Sequence, residues 1–331
     1  MARLSAKLRK KGLHPQIVAV LCSWLEARLA KVVVSGSASI YMTLHDIVFQ
    51  GTVTGPILWN LFFEDARHAI NEYFFKEVVF ADDLNAFCIY SSATHNDVIK
   101  KALTNCQLEL HKWGAANRVA FDPSKESQHI LSLSDPDGSV FKLLGVPFDA
   151  ALSMGQAVSE MVASAGWKLR TLLRTKRFYT DSDLIVLYKA HLLSFLEYRT
   201  PAIYHATRAV LRRLDAVQRN FLRDVGVDDI TALVHFHLAP LSTRRDIAML
   251  GLIHRTVLAE GPRQFSDFFR RDPDHRSKLV DPCLSSRSPL IKRSALGLVS
   301  IYNMLPQKVC LCIPTWFVIL SGRRRFHHAS L

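Results

Sequence analysis

Residues 76–90, KEVVFADDLNAFCIY, set two adjacent carboxylates, Asp82 and Asp83, between two runs of β-branched and aromatic residues. Such runs favour extended backbone, and a short polar step between them reads as a hairpin with Ala81, Asp82 and Asp83 at its tip. Two like charges on a tight turn repel each other, so the arrangement costs free energy unless a cation neutralises it. Hard carboxylate oxygens suit Mg²⁺, which keeps waters and takes substrate phosphates as further ligands. An isolated Asp-Asp also occurs in solvated turns, which is the reading given to Asp228 and Asp229 in GVDDIT. The surroundings of the pair decide between the two.

Upstream, HPQIVAVLCSWLEARLA carries apolar residues at Ile17, Val20, Leu21, Trp24 and Leu25, the spacing of one helix face. KVVVSGSASIYMTL reads as strand, Gly/Ser turn and strand. In FQGTVTGPILWNLFFEDARHAINEYF, Gly51 and Gly55 flank a turn and Pro56 stands where the first helical residue tolerates it. Ile57, Leu61, Ala69, Ile70 and Tyr73 are expected to continue a buried helical stripe, with Trp59, Phe62 and Phe63 as core.

After the aspartates, NDVIKKALTNCQLELHKWGAAN predicts a capped amphipathic helix closed by Gly114 and Asn117. RVAFD, QHILSLS and FKLLGVPFD predict three short strands. No regular βαβ rhythm appears before Asp149, so the expected class is α+β, an antiparallel sheet with packed helices. From Ala157 onward the apolar spacing is helical, which predicts a second, mostly α module.

The chain has 331 residues and is 49% hydrophobic, which excludes a disordered polymer. It carries 42 Lys and Arg against 29 Asp and Glu, a formal charge of +13 that favours a polyanionic partner. Between Glu160 and Val225 there are 12 Lys and Arg against 6 Asp and Glu, a net of +6, with Lys168, Arg170, Arg174, Lys176 and Arg177 clustered early. The six cysteines show no zinc-knuckle or disulfide-scaffold spacing, and Cys310 and Cys312 with His327 and His328 match no standard metal site. The basic ARLSAKLRKKGLHP after Met1 is not a secretory signal, and VCLCIPTWFVIL is shorter than a membrane span. An intracellular protein with no membrane partner is expected.

The order of these motifs resembles the reverse transcriptase palm, of the type found in LINE-like, non-LTR retrotransposons. FADD is similar to that family's aromatic-x-Asp-Asp hairpin, and QGTVTGP resembles its Gln-Gly loop and the next helix. WGAANRVAFDPSKES resembles the element that carries a lysine, and KLLGVPFD the hairpin that grips the primer. LYKAHLLSFLEYRTPAIYH, LRRLDAVQRNFLRDVGV and RRDIAMLGLIHRTVLAEGP are similar to the helical thumb and its C-terminal continuation. The resemblance divides the chain into a partial palm over 1–150, a thumb over 151–230 and a helical extension over 231–331, whose tail departs from the family from about residue 310.

The resemblance implies RNA-directed DNA synthesis, with RNA template, DNA primer and deoxynucleoside triphosphates as partners and Mg²⁺ as cofactor. Asp82 would be a metal ligand and Asp83 its companion, and Phe80 would shape the hairpin near the primer end. Gln50 and Gly51 would line the pocket for template base and nucleotide, and Lys125 would meet the triphosphate and protonate pyrophosphate. The five early cations of the thumb would hold duplex phosphates. The family places a further aspartate on a strand before the Gln-Gly loop, and only Glu26 and Asp46 precede the loop here. The chain is therefore expected to be the back half of a polymerase, inactive alone, and nuclear if it serves a retroelement. A non-catalytic nucleic-acid-binding remnant is the alternative, and a magnesium phosphohydrolase built on Asp82 and Asp83 a third reading.

Overall fold

A computed structural model describes residues 2–26, 28–44, 51–275 and 278–305. Gln50, Asp46 and the C-terminal Cys310, Cys312, His327 and His328 lie outside the described residues. The chain is mixed α+β, dominated by helices, with small antiparallel sheets. It divides into two compact units that meet in sequence between Ile130 and Leu131.

The first unit opens with α1 (Ala2–Lys10) and α2 (Pro15–Leu25), which bury Leu4, Leu8, Val18 and Leu25. His14 caps α2 by accepting from the Gln16 amide, and Pro15 stands at the first turn, where a missing N–H costs nothing. The buried face of α2 runs through Val18, Leu21, Cys22 and Leu25, while Ile17 and Val20 face solvent. The face expected from spacing, which put Ile17 and Val20 with Leu21 and Leu25, is corrected: packing against α1 selects Val18 instead.

A β-arm comes next. β1 (Arg28–Ala30), β2 (Val33–Val34), β3 (Ser37–Ala38) and β4 (Met42–Leu44) pair antiparallel as β1–β4 and β2–β3. The turn between β2 and β3 is Ser35-Gly36, both at positive φ (49° and 84°), the handedness that matches strand twist. Glycine at the second position makes this turn accessible.

α3 (Gly55–Phe63) begins at Gly55-Pro56, and α4 (Ala66–Asn71) starts after a break at Glu64-Asp65. That break interrupts the continuous stripe expected from sequence. Leu58, Phe63, Ala66 and Ile70 are buried, whereas Ile57 is exposed. β5 (Lys76–Phe80) and β6 (Asp83–Phe87) form an antiparallel hairpin, and α5 (Asn96–Asn117) packs with α4 over Ile70, Phe75 and Cys106.

α5 is closed not by Gly114 or Asn117 but by Arg118, whose φ of 58° turns the chain out of the helix. Gly114 has another task. A Cβ there would lie 2.6 Å from the Val119 carbonyl oxygen and 2.9 Å from the Phe121 ring, so only glycine lets the returning chain approach. RVAFD is consequently a strap along α5 rather than a strand, and QHILSLS contributes only an isolated bridge.

The second unit contains the hairpin β7 (Phe141–Leu143) and β8 (Val146–Phe148), then helices. α6 (Gly155–Arg174) and α7 (Asp181–Tyr188) lead through a π-helical turn over Lys189–Leu193 to α8 (Ser194–Tyr198), α9 (Thr200–Ile203) and α10 (Arg208–Val225). Thr180 and Asp183 form a reciprocal capping box that starts α7. Thr207 caps α10, and Gly226 at φ 86° ends it.

α10 buries Leu214, Val217, Gln218, Phe221, Leu222 and Val225, a 3.6-residue stripe that packs on α6. Phe221 stacks on Tyr188 with ring centroids 4.2 Å apart. Both rings are fully buried, and Phe221→Ala would cost about 3–5 kcal/mol. α11 (Asp229–Val234) and α12 (Leu241–Val257) continue the unit, and Arg245 of α12 pairs with Asp215 of α10 at 2.8 Å in a nearly closed setting. α13 (Pro282–Ser285), α14 (Pro289–Arg293) and α15 (Val299–Met304) complete it, with Val299 and Tyr302 packed on Met249 and Ile253. No helix among the described residues is long and apolar enough to cross a membrane.

Candidate functional site

Phe80 pairs with Asp83 in register, which leaves Ala81 and Asp82 as a two-residue turn. Ala81 has φ 55°, a left-handed conformation that alanine adopts at a cost of order 1 kcal/mol. What holds it is the indole of Trp59 on α3, whose Nε1 donates to the Ala81 carbonyl oxygen at 2.8 Å. Both aspartates are exposed, and Phe80 is 62% exposed beside them.

Trp59 is itself supported. It stacks on Phe63 at 5.2 Å, and Phe63 meets the edge of Trp113 of α5 at the same separation. Trp113 Nε1 donates to Asp65 Oδ1 at 3.0 Å, and Lys7 Nζ of α1 reaches the same oxygen at 2.7 Å while lying 4.0 Å from the centre of Phe62. A line of aromatic contacts, closed by one carboxylate, thus ties α1, α3 and α5 to the turn that carries Asp82. Sequence reasoning took Trp59 for core; it is instead half-buried and hydrogen-bonded to the hairpin. On the adjoining strand, Glu77 of β5 pairs with Arg67 of α4.

Gly51 is exposed at φ 79° with open space where a Cβ would stand. Lys125 lies on the strap after α5 and is 83% exposed at its side chain. Its ion-pair partner is Asp122 at 3.8 Å, not an aspartate of the hairpin. Asp122 also accepts from the Ser124 hydroxyl at 2.7 Å and amide at 3.0 Å, and these bonds, with Lys125 beside them, hold its carboxyl below the usual range. Glu126 fastens the strap to α5: His111 Nε2 is 2.9 Å from its Oε2, and Gln107 donates to the same oxygen.

The chemistry of the hairpin pair suits one magnesium ion, because two hard carboxylates leave positions for water and phosphate. It does not by itself make a two-metal centre, which needs more bridging oxygens. Among the described residues no group of three or more His, Cys, Asp or Glu side chains is assembled for a metal.

In the second unit the five sequence-predicted cations separate into two groups. Lys168 is half-buried, 5.6 Å from the Phe195 ring centre, and Lys176 Nζ donates to the Asp224 carbonyl at 2.5 Å. Arg170, Arg174 and Arg177 are exposed. The structure adds four arginines that sequence reasoning did not single out: Arg208, Arg212, Arg219 and Arg223 form an exposed stripe along α10, opposite its buried face. Their spacing of four, seven and four residues was visible in the sequence as the polar complement of the apolar stripe. Neither a family model, nor a curated protein, nor a solved structure matches this chain.

Proposed function

We propose that this chain carries the Asp-Asp hairpin and helical thumb of a reverse transcriptase of the LINE-like type, and supplies part of a site for RNA-templated DNA synthesis. The observation that carries the reading is the hydrogen bond from Trp59 to Ala81. It joins the helix that begins after GTVT to the turn that presents the two carboxylates, so two stretches that are distant in sequence meet at one place.

In this reading Asp82 and Asp83 hold one magnesium ion, which would neutralise phosphate charge and lower the cost of bringing a primer hydroxyl to a nucleotide. Trp59 keeps the turn in its left-handed form, so the carboxylates need no rearrangement before substrate arrives. Gly51 offers backbone without a side chain to an incoming base. Lys125 Nζ, exposed on its strap, meets the triphosphate and gives its proton to the departing oxygen. The arginines of α6 and α10 neutralise phosphates along the nucleic acid.

The reading is tested by manganese binding to the 331-residue protein, measured by electron paramagnetic resonance with a primer–template duplex and a deoxynucleoside triphosphate present. The expected result is one bound ion in the wild type and loss of that signal in Asp82→Ala and Asp83→Ala. Equal binding in all three proteins would overturn it. A second reading, a nucleic-acid-binding remnant without catalysis, is supported by the exposed arginine stripe of α10. It predicts duplex binding that ignores both aspartate substitutions and the metal.

A further inference from the structure

From Met161 to Thr180 the chain has five cations and no carboxylate. On this stretch three aromatic rings are exposed, Trp167 of α6 at 63%, Phe178 of the helical turn Lys176–Phe178 at 69%, and Tyr179 less so at 46%. Tryptophan is usually mostly buried, because its indole is too apolar to leave in water without return. Trp167, Arg170 and Arg174 fall at i, i+3 and i+7, hence on one side of α6 and about 10 Å from end to end. The Arg170 guanidinium reaches back toward Gly166, next to Trp167, and the Arg177 guanidinium lies 4.6 Å from the Phe178 ring centre. The carboxylates that flank the segment are Glu160, which accepts from Gln156, and Asp181, while Asp183 is occupied by the Thr180 cap.

We propose that Trp167 and Phe178, with Arg170, Arg174 and Arg177, form a stacking platform for single-stranded nucleic acid on the second unit. A ring followed by two guanidiniums on one side of α6, and a second ring with its own guanidinium in the turn after it, offer flat surfaces for unpaired bases and positive charge for the phosphates between them. A duplex uses only the second of these, since its bases are stacked on one another and present edges rather than faces. A protein partner with an acidic, apolar surface would also be attracted to the charge, but it would not distinguish paired from unpaired bases. The inference rests on the reading that this unit binds nucleic acid, and it goes further in assigning the strand state and the residues.

The test uses the 331-residue protein with two probes, a polyuridine strand of about 20 nucleotides and an RNA–DNA duplex of the same length, each titrated over a range of salt. Trp167→Ala is expected to weaken polyuridine binding by about tenfold, as loss of one stacked base does, without changing the salt slope. Trp167→Phe should restore most of it, and duplex binding should be unaltered by either change. Arg174→Ala should instead reduce the slope for both probes by about one. Equal loss on both probes in Trp167→Ala, failure of phenylalanine to rescue, or no loss on either probe would overturn the platform without overturning nucleic-acid binding by this unit. Absence of salt-dependent binding to both probes by the wild type would overturn the nucleic-acid reading itself, and the platform with it.

Discussion

The indole nitrogen of Trp59 and the carbonyl oxygen of Ala81 lie 2.8 Å apart, and this contact fixes the turn that exposes Asp82. Without it, an alanine at φ 55° is expected to relax toward negative φ and turn the two carboxylates. Trp59→Phe keeps a ring on Phe63 but removes the donor. It should cost about 1 kcal/mol and speed amide exchange at Asp82 and Asp83 while α5 stays protected. Exchange rates at the turn equal to those of the wild type would show that the hairpin holds its own shape.

At Gly114, replacement by alanine normally favours a helix interior by about 0.5–1 kcal/mol. Here the sign should reverse, because the added methyl would press on the Val119 carbonyl at 2.6 Å. Thermal unfolding of Gly114→Ala checks it. A raised midpoint would mean that the strap bearing Lys125 is not seated on α5.

Asp149 gives a pH dependence with a definite sign. Burial alone would raise its carboxyl, but hydrogen bonds from the Ser153 amide at 2.8 Å, the Met154 amide at 2.8 Å and the Ser153 hydroxyl overcome this and hold it below the usual range. A depressed folded value contributes stability above the unfolded carboxylate range near about pH 4 that is lost as the pH falls through the folded value. Asp149→Asn should therefore be less stable than the wild type at neutral pH, with the gap narrowing as the pH falls below the unfolded carboxylate range. A gap that is constant with pH would remove the charge from the explanation.

The hairpin around Asp82 was legible in the sequence because runs of β-branched and aromatic residues on either side of a short polar step leave few alternatives, and the Ser35-Gly36 turn was legible from the Gly/Ser step between two such runs. The inner face of α2 was not, since Ile17 and Val18 are equally apolar and only the neighbouring α1 decides which is covered. Nor was the strap: RVAFD has strand-like residues, but Gly114 gives them a helix surface to lie on, and that surface overrides propensity. Lys125 could be placed on an exposed segment, yet its pairing with Asp122 depends on a local turn closed by Ser124. The link from Trp59 to Ala81 spans 22 residues and leaves no periodic trace in the sequence.

Duplex binding should depend strongly on salt, and the separation of the five cations predicts unequal roles. Neutralising Arg212 and Arg219 together on α10 should lower the salt slope by about two, whereas Lys176→Ala, whose ammonium is engaged with the Asp224 carbonyl, should change it little. Titration of each variant with an RNA–DNA duplex between low and physiological salt measures this. A larger effect from Lys176 than from the arginine pair would place the phosphates elsewhere.

The central claim, that Asp82 and Asp83 belong to a polymerase centre, is tested most directly by primer extension in a polypeptide that joins an upstream palm strand bearing an aspartate to residues 1–331. With RNA template, DNA primer, magnesium and deoxynucleoside triphosphates, the joined protein should extend the primer. Asp82→Ala should lower that rate about a thousandfold or more while leaving thermal unfolding and duplex affinity unchanged, because charge neutralisation and positioning act as a unit. Near-normal extension by the Asp82→Ala protein would contradict the claim.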